Sequence, residues 1–180
     1  MTLPPFRYHP DPIGTGSIVG SDAMCVCCGD RRGYIYVGPV YSVRELRDSL
    51  CPWCIADGSA HSRFGAEFTD AAGVGNHSRT AKVGTDVVEV VSCRTPGFSG
   101  WQQERWLVCC SDAAAFVGHA GHRELEARWP DAIESIKVDS GLEGQPWENF
   151  YHHLNSEGSP TAYIFQCLHC QKHLGYQDCD

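Results

Sequence analysis

No stretch of 18 apolar residues occurs anywhere in the chain, so nothing in it reads as a membrane-spanning helix. The opening residues, Met-Thr-Leu-Pro-Pro-Phe-Arg-Tyr-His-Pro, hold neither the basic nor the apolar region of a secretory leader. We read a soluble protein that stays in the cytoplasm. Basic charge is also scarce. Lys and Arg number 14 against 22 Asp and Glu, a formal net charge of −8, and no basic run occurs. Binding to a nucleic-acid backbone draws on Lys and Arg that neutralise phosphates, so such a role is disfavoured. An acidic surface instead suits a basic protein partner, besides aiding solubility. Catalytic signatures are missing as well: there is no HExxH, no GxSxG, and no H-x-E with a downstream P-C-x-x-C. His119 with His122, and His152 with His153, form two close pairs in sequence, but histidines without a motif are commonly surface or helix-end residues. No repeat of solenoid period is visible.

Cysteine, by contrast, is abundant. Eleven occur in 180 residues, and their odd count argues against a fully paired disulfide framework. In a reducing compartment such residues act as metal ligands, small buried groups or reactive thiols. Two short pairs organise the first third, Cys25-Val26-Cys27-Cys28 and Cys51-Pro52-Trp53-Cys54. A CxxC turn sets two thiolates on one side of a tight loop, and a second turn can close a tetrahedral Zn²⁺ site from the opposite side. We therefore expect Cys25, Cys28, Cys51 and Cys54 to hold a structural zinc ion, with Cys27 a spare small residue and Trp53 covering the metal from water. Cys51–Cys54 also fits a thioredoxin-type redox pair, but the companion CxxC makes zinc the better account.

A third pair, Cys167-Leu168-His169-Cys170, closes the chain and needs two more ligands if it too holds zinc. The candidates are Cys109 and Cys110, then Cys93, His173, His169 and Cys179. Side chains of neighbouring strand residues point to opposite faces, so one of Cys109 and Cys110 is expected at the site, Cys110 for preference, with Cys109 or another group completing it imperfectly.

Apolar content of 42% and aromatic content of 11% place the chain among globular proteins. The expected class is α+β: small zinc-ribbon-like knuckles joined to a mixed sheet with short helices. Residues 1–60 form an arm and the CxxC/CxxC module, and residues 61–180 form a body closed by the last knuckle, the two making one compact unit. Prolines 4, 5, 10 and 12 keep the arm extended. Gly33 to Tyr41 reads as a strand ending at Pro39. Ser42-Val43-Arg44-Glu45 has capping-box spacing, which predicts a helix from Ser42 to about Leu50. Ile55 to Asn76 suggests a short helix, marked by Phe64 and Phe68, and then a loop. Asp86 to Val91 fits both a capped helix and a valine-rich strand. Trp106 to Cys110 reads as a strand and Thr95 to Gly100 as a turn, with Trp101 and Trp106 expected in the core. Asp112 predicts a helix through Ala113, Ala114 and Ala115 to Gly118. Helices follow over His122–Trp129, Asp131–Ile136 and Trp147–Leu154, then a strand over Thr161–Gln166 and a returning strand at Leu174–Tyr176.

Phe6-Arg7-Tyr8-His9-Pro10-Asp11-Pro12, Tyr34-Ile35-Tyr36, Gly38-Pro39-Val40-Tyr41 and Leu50-Cys51-Pro52-Trp53-Cys54-Ile55-Ala56-Asp57-Gly58 resemble the CbrC family of bacterial proteins. So do Thr95-Pro96-Gly97-Phe98 with Trp101-Gln102, and the closing Cys167-Leu168-His169-Cys170. The resemblance implies a link to tolerance of a nuclease colicin and no particular mechanism. One departure stands out. The family pattern has His-Cys, then Asp and a further Cys, where this chain reads Cys109-Cys110-Ser111-Asp112-Ala113-Ala114. Cys109 then takes the place of the His, and Ala114 that of a ligand, so a second site would be rebuilt around Cys109, Cys110, Cys167 and Cys170. The expected function is thus a zinc-stabilised, non-enzymatic protein that confers tolerance or immunity to a basic toxin domain by binding it. The alternative is a zinc-dependent hydrolase with an open site near His119, His122 or the Cys167 knuckle.

Overall fold

The computed structural model describes residues 2–75 and 83–180; Asn76, the last residue of the expected loop, lies outside them. The architecture is α+β, with three small antiparallel sheets and short helices. Strands β1 (Ile18–Gly20) and β2 (Tyr34–Tyr36) pair first. Two short helices follow, α1 (Pro52–Ala56) and α2 (Ser59–Phe64), then α3 (Thr85–Arg94). Strands β3 (Val108–Cys109) and β4 (Asp112–Ala113) form a two-residue hairpin. The main sheet, in the order β5-β6-β7, joins Ala115–Ala120, Thr161–Gln166 and His173–Asp178. Between its first two strands come α4 (His122–Arg128), α5 (Ile133–Ser140) and α6 (Gly144–His153).

Strand β6 shows why the sheet sits at the centre. Its side chains alternate in the two-residue period of a strand: Tyr163 and Phe165 enter an aromatic core with Phe98, Trp106, Phe116 and Tyr176, while Ala162 and Ile164 face Leu125, Trp129, Ile136 and Trp147. Both faces are covered, so five successive residues, Thr161 to Phe165, are buried. Phe98 stacks on Phe116 at 3.9 Å between ring centres, and Tyr163 on Tyr176 at 4.8 Å. A third core gathers Phe6, Ile18, Tyr36, Leu46, Leu50, Ile55 and Phe68 around the first cysteine group.

Several expectations change in the folded chain. The expected helix over Ser42–Leu50 does not form. Glu45 accepts a hydrogen bond from the Arg47 N–H, not from the Ser42 backbone, and the Ser42 hydroxyl donates to the Arg44 carbonyl. Tyr41 is bridged to Glu67 and Leu50 to Tyr36, so both ends of the segment are fixed in extended pairings, and Asp48 adopts a positive φ of 52°. The expected helix from Asp112 is instead strand β4 followed by β5. The Asp112 carboxylate accepts from Arg7, Tyr8 and His169 and so does not cap a helix, while Ala113, Ala114 and Ala115 are fully packed. Tertiary burial here overrides the helix preference of alanine. Asp86–Val91 resolves as helix α3, which sets Val87, Val88 and Val91 against the aromatic core. Of the two tryptophans assigned to the core, Trp106 is buried, whereas Trp101 is 49% exposed with its indole N–H fixed by the Gly158 carbonyl and the Thr161 hydroxyl. The helix signalled by Phe64 and Phe68 ends at Phe64, because Gly65 turns the chain at φ 61°.

The N-terminal arm is anchored by His9, which is fully buried. Its Nδ1–H donates to the Pro96 carbonyl at 2.7 Å, and its Nε2 accepts from the Thr15 hydroxyl at 2.6 Å. Burial lowers its pKa from 6.5 to about 4. The unfolded chain therefore takes up this proton near pH 6.5 and the folded chain only near pH 4, so stability is fully present above 6.5 and falls between the two values. The loss attributable to His9 should reach about 2 kcal/mol by pH 5. Urea unfolding of the wild type and His9→Gln at pH 7 and pH 5 checks this: the wild type should lose that much more than the variant, and equal losses would contradict it.

Candidate metal centres

Two hairpin ends carry the same local structure. In the first, residues 21–33 connect β1 to β2, the Cys25 N–H donates to the Asp30 carbonyl at 2.9 Å, and the Gly29 N–H returns to the Cys25 carbonyl at 2.8 Å, with Gly29 at φ 79°. In the second, between β6 and β7, the Cys167 N–H donates to the Lys172 carbonyl at 2.9 Å and the Gln171 N–H to the Cys167 carbonyl at 3.1 Å, with Gln171 at φ 63°. Each knuckle thus needs a left-handed residue just after its second cysteine. Gly29 fits that position at little cost; Gln171 occupies it with a side chain, at a cost of order 1 kcal/mol.

The partner pairs arrive by different routes. Cys51 is the N-cap residue of α1, Pro52 opens the helix and Cys54 lies in its first turn. Cys109 and Cys110 come from the β3–β4 hairpin, whose two loop residues, Cys110 and Ser111, have φ 51° and 62°, the signs of a type I′ turn. That turn brings both members of the adjacent pair to the site, where strand alternation alone would deliver one. The alternation of strand side chains ends at Cys109; the left-handed bend at Cys110 swings its sulfur back to within 3.8 Å of Cys109 Sγ.

The eight sequence-predicted residues therefore gather in two groups. Cys25, Cys28, Cys51 and Cys54 form one, and Cys109, Cys110, Cys167 and Cys170 the other; within each, every pair of Sγ atoms lies within 4.8 Å. Cys25–Cys54 and Cys28–Cys51 are both 3.9 Å apart, and Cys109–Cys170 is 3.8 Å. A zinc ion bound to four sulfurs at about 2.3 Å has S···S edges of about 3.8 Å. These spacings are far too long for a disulfide bond and fit tetrahedral coordination. Both groups could hold a metal ion, and four thiolates are compatible with zinc.

Electrostatics point the same way. The Cys51 thiol, followed by the N–H groups of Cys28, Cys51 and Cys27, pulls the Cys25 pKa down to about 4. Cys51 is pushed up, first by its bond to Cys25 and then by burial, and burial lifts Cys54 to about 12. In the second group burial acts to raise Cys167, but the Cys170 and His169 N–H groups and neighbouring thiols outweigh it and bring it to about 6; burial pushes Cys109 up. Without a cation, Cys25 and Cys167 are thus the favoured thiolates, while Cys51, Cys54 and Cys109 resist ionisation. A divalent ion is what allows all four in a group to ionise.

Burial distinguishes the groups. Three of the first four, Cys25, Cys51 and Cys54, are buried in the N-terminal core with Cys28 exposed, whereas in the second group only Cys167 is buried and Cys110 and Cys170 are exposed. Cys27 points aside, its thiol donating to Ser59 Oγ at 3.6 Å. Trp53 is half-buried, tilted against Tyr34 and lying under the Arg32 guanidinium. Beside the second group, Asp112 binds Arg7 Nη2 at 2.6 Å, Tyr8 OH at 2.8 Å and His169 Nε2 at 2.9 Å. Burial acts to raise this carboxyl, but hydrogen bonds from His169 and Tyr8 and the charge of Arg7 hold it below its ordinary value. This clamp escaped the sequence reading because Asp112 and its partners share no motif. It ties the N-terminal arm to the β3–β4 hairpin and to the β6–β7 end.

The other candidates for the second group lie elsewhere. His173 pairs with Asp131, His169 with Asp112, and Cys179 is exposed near the end of β7. Cys93 belongs to a third convergence, with His61 and Glu67. His119 is enclosed by Phe98, Phe116 and Tyr163, which lowers its pKa through burial, and its Nε2 meets the Ser99 carbonyl. His122 packs against Tyr151 and His152. Among the described residues neither His119 nor His122 joins a ligand cluster.

A family model described as "Uncharacterised protein family (UPF0167)" matches residues 3–179. The chain is 51% identical to UPF0167 protein Mb2317 of Mycobacterium bovis and to UPF0167 protein MT2352 of Mycobacterium tuberculosis. Each alignment covers 98% of this chain and 93% of the relative. UPF0167 protein PA1536 of Pseudomonas aeruginosa is 46% identical over 93% of this chain and 92% of its own length. No solved structure matches.

Single substitutions separate ligand from neighbour. Cys28→Ala and Cys110→Ala should each lose about one equivalent of zinc and several kcal/mol of stability. Cys27→Ala should keep its metal and lose about 1 kcal/mol. Elemental analysis with urea unfolding checks both; a Cys27→Ala protein that loses zinc would show that the ligand set is misassigned.

Proposed function

The chain belongs to the UPF0167 family, and on that premise we propose a zinc-stapled, non-enzymatic protein that works by binding a basic protein domain. One ion in each four-thiol group leaves no coordination position for substrate, as in structural zinc sites. The observation that carries the binding role is an acidic cleft of about 580 Å³ lined by Asp70, Glu104, Asp139 and Asp178. Among the described residues its one cation, Arg105, is held bidentate by Asp139 at 2.7 and 2.8 Å and stacks over Tyr176 at 4.1 Å. The cleft therefore keeps a net negative field, within a chain whose formal charge is −8, suited to steering a cationic surface.

A basic nuclease-type toxin domain is the partner this reading names, in line with the CbrC resemblance, and tolerance is the outcome of occupying it. All eleven thiols are free, which suits a reducing cytoplasm. Among the described residues no helix is long and apolar enough to cross a membrane.

A zinc hydrolase is the second reading. It needs a metal with three protein ligands and a water, and one observation outside the four-thiol groups favours it: His61, Glu67 and Cys93 converge.

Binding of the metal-replete protein to a colicin-type nuclease domain, measured by calorimetry at 50 and 300 mM salt, tests the proposal. Affinity should fall at least about tenfold at the higher salt and further in Asp70→Asn. Failure to bind, together with failure to protect cells from the same nuclease, would overturn it.

A further inference from the structure

Three metal-ligating side chains of different chemistry meet away from both cysteine groups. His61 comes from α2, Glu67 from the extended residue bridged to Tyr41, and Cys93 from the last turn of α3. One ligand atom of each lies within 4.8 Å of the other two. All three backbones are fixed. Glu67 exchanges both backbone hydrogen bonds with Tyr41, at 2.8 and 2.9 Å, and the next residue, Phe68, donates to the Ser92 carbonyl at 2.7 Å, which ties the Glu67 strand to the end of α3.

The side chains are oriented as ligands. His61 Nδ1 meets the Ala66 carbonyl at 3.1 Å, so its proton sits on Nδ1 and the Nε2 lone pair is free. A ring N–H donated to a backbone carbonyl is the usual outer support of a metal-bound histidine. The Cys93 thiol is buried beside Ser92 Oγ at 3.3 Å, and the Ser92 hydroxyl proton goes to the Val88 carbonyl. Among the described residues no hydrogen bond or ion pair joins His61, Glu67 and Cys93 to one another. Three polar groups thus face a common point without satisfying each other.

We propose that His61 Nε2, the Glu67 carboxylate and Cys93 Sγ bind a divalent transition cation of the zinc class, with its fourth position held by water. The set of imidazole, carboxylate and thiolate selects a borderline cation over Mg²⁺ or Ca²⁺, which prefer all-oxygen shells. Zinc at about 2.0–2.3 Å from each ligand would bring the three atoms to about 3.3–3.6 Å of one another. Rotation of the half-buried His61 and Glu67 side chains supplies that movement. Binding displaces the Cys93 thiol proton to solvent, so the uncharged thiol becomes a thiolate and one proton is released per ion. Unlike the four-thiol groups, this site has an open position.

The test is a Co²⁺ titration of wild-type protein carrying two equivalents of zinc. A third equivalent should bind, giving visible d–d absorption and a weak thiolate charge-transfer band, while elemental analysis shows both zinc ions retained. Cys93→Ala should abolish the charge-transfer band, and His61→Asn should weaken binding at least about tenfold. Uptake in the wild type needs no variant to fold. No uptake up to about 1 mM Co²⁺, or a charge-transfer band unchanged in Cys93→Ala, would overturn the assignment. Loss of the two zinc ions would instead point to failure of the four-thiol reading.

Discussion

Two groups of four thiols, each gathered within 4.8 Å, mark where the separate pieces of this fold converge. Small sheets of two or three short strands have little stability alone, and here they are pinned where hairpin ends converge. At the first group the loop between β1 and β2 meets the start of α1, so the N-terminal core of Phe6, Ile18, Tyr36 and Leu50 closes around thiols. At the second, the β3–β4 turn meets the β6–β7 end, so the main sheet is held to the hairpin before it. In each case the sulfurs resist full ionisation without a cation. A divalent ion held by such a group would offset that conflict and tie the converging elements together.

The two groups share a knuckle but differ in setting. The same pair of backbone hydrogen bonds shapes Cys25–Gly29 and Cys167–Gln171. The first then sits inside a core and the second at the protein surface, flanked by the clamp of Asp112 with Arg7, Tyr8 and His169. A buried site answers chiefly to folding. An exposed one also meets solvent, chelators and oxidants. The acidic cleft around Glu104 and Asp178 lies apart from both.

Much of this was legible in the residues. CxxC spacing named both groups, Thr161–Gln166 declared itself a strand by its aromatic and β-branched content, and His122–Trp129 a helix by its proline stop. What failed did so where local rules met tertiary ones. Ser42 and Glu45 have the spacing of a capping box, yet their segment is held at both ends by extended bridges. Asp112 and three alanines read as a helix start, yet the carboxylate is claimed by residues as distant as Arg7 and His169. Cys109 and Cys110 were expected on opposite faces because a left-handed turn without glycine leaves no mark in sequence. His61, Glu67 and Cys93 were invisible as a group since they meet through the tertiary placing of α2, the Glu67 bridge and the end of α3 and share no motif.

The central claim is that both groups bind zinc through sulfur alone. X-ray absorption at the zinc edge of purified protein tests it most directly. The account predicts a first shell dominated by sulfur at about 2.3 Å, with light-atom scattering confined to a minor third site. A shell dominated by nitrogen and oxygen, or a folded protein without zinc, would contradict it.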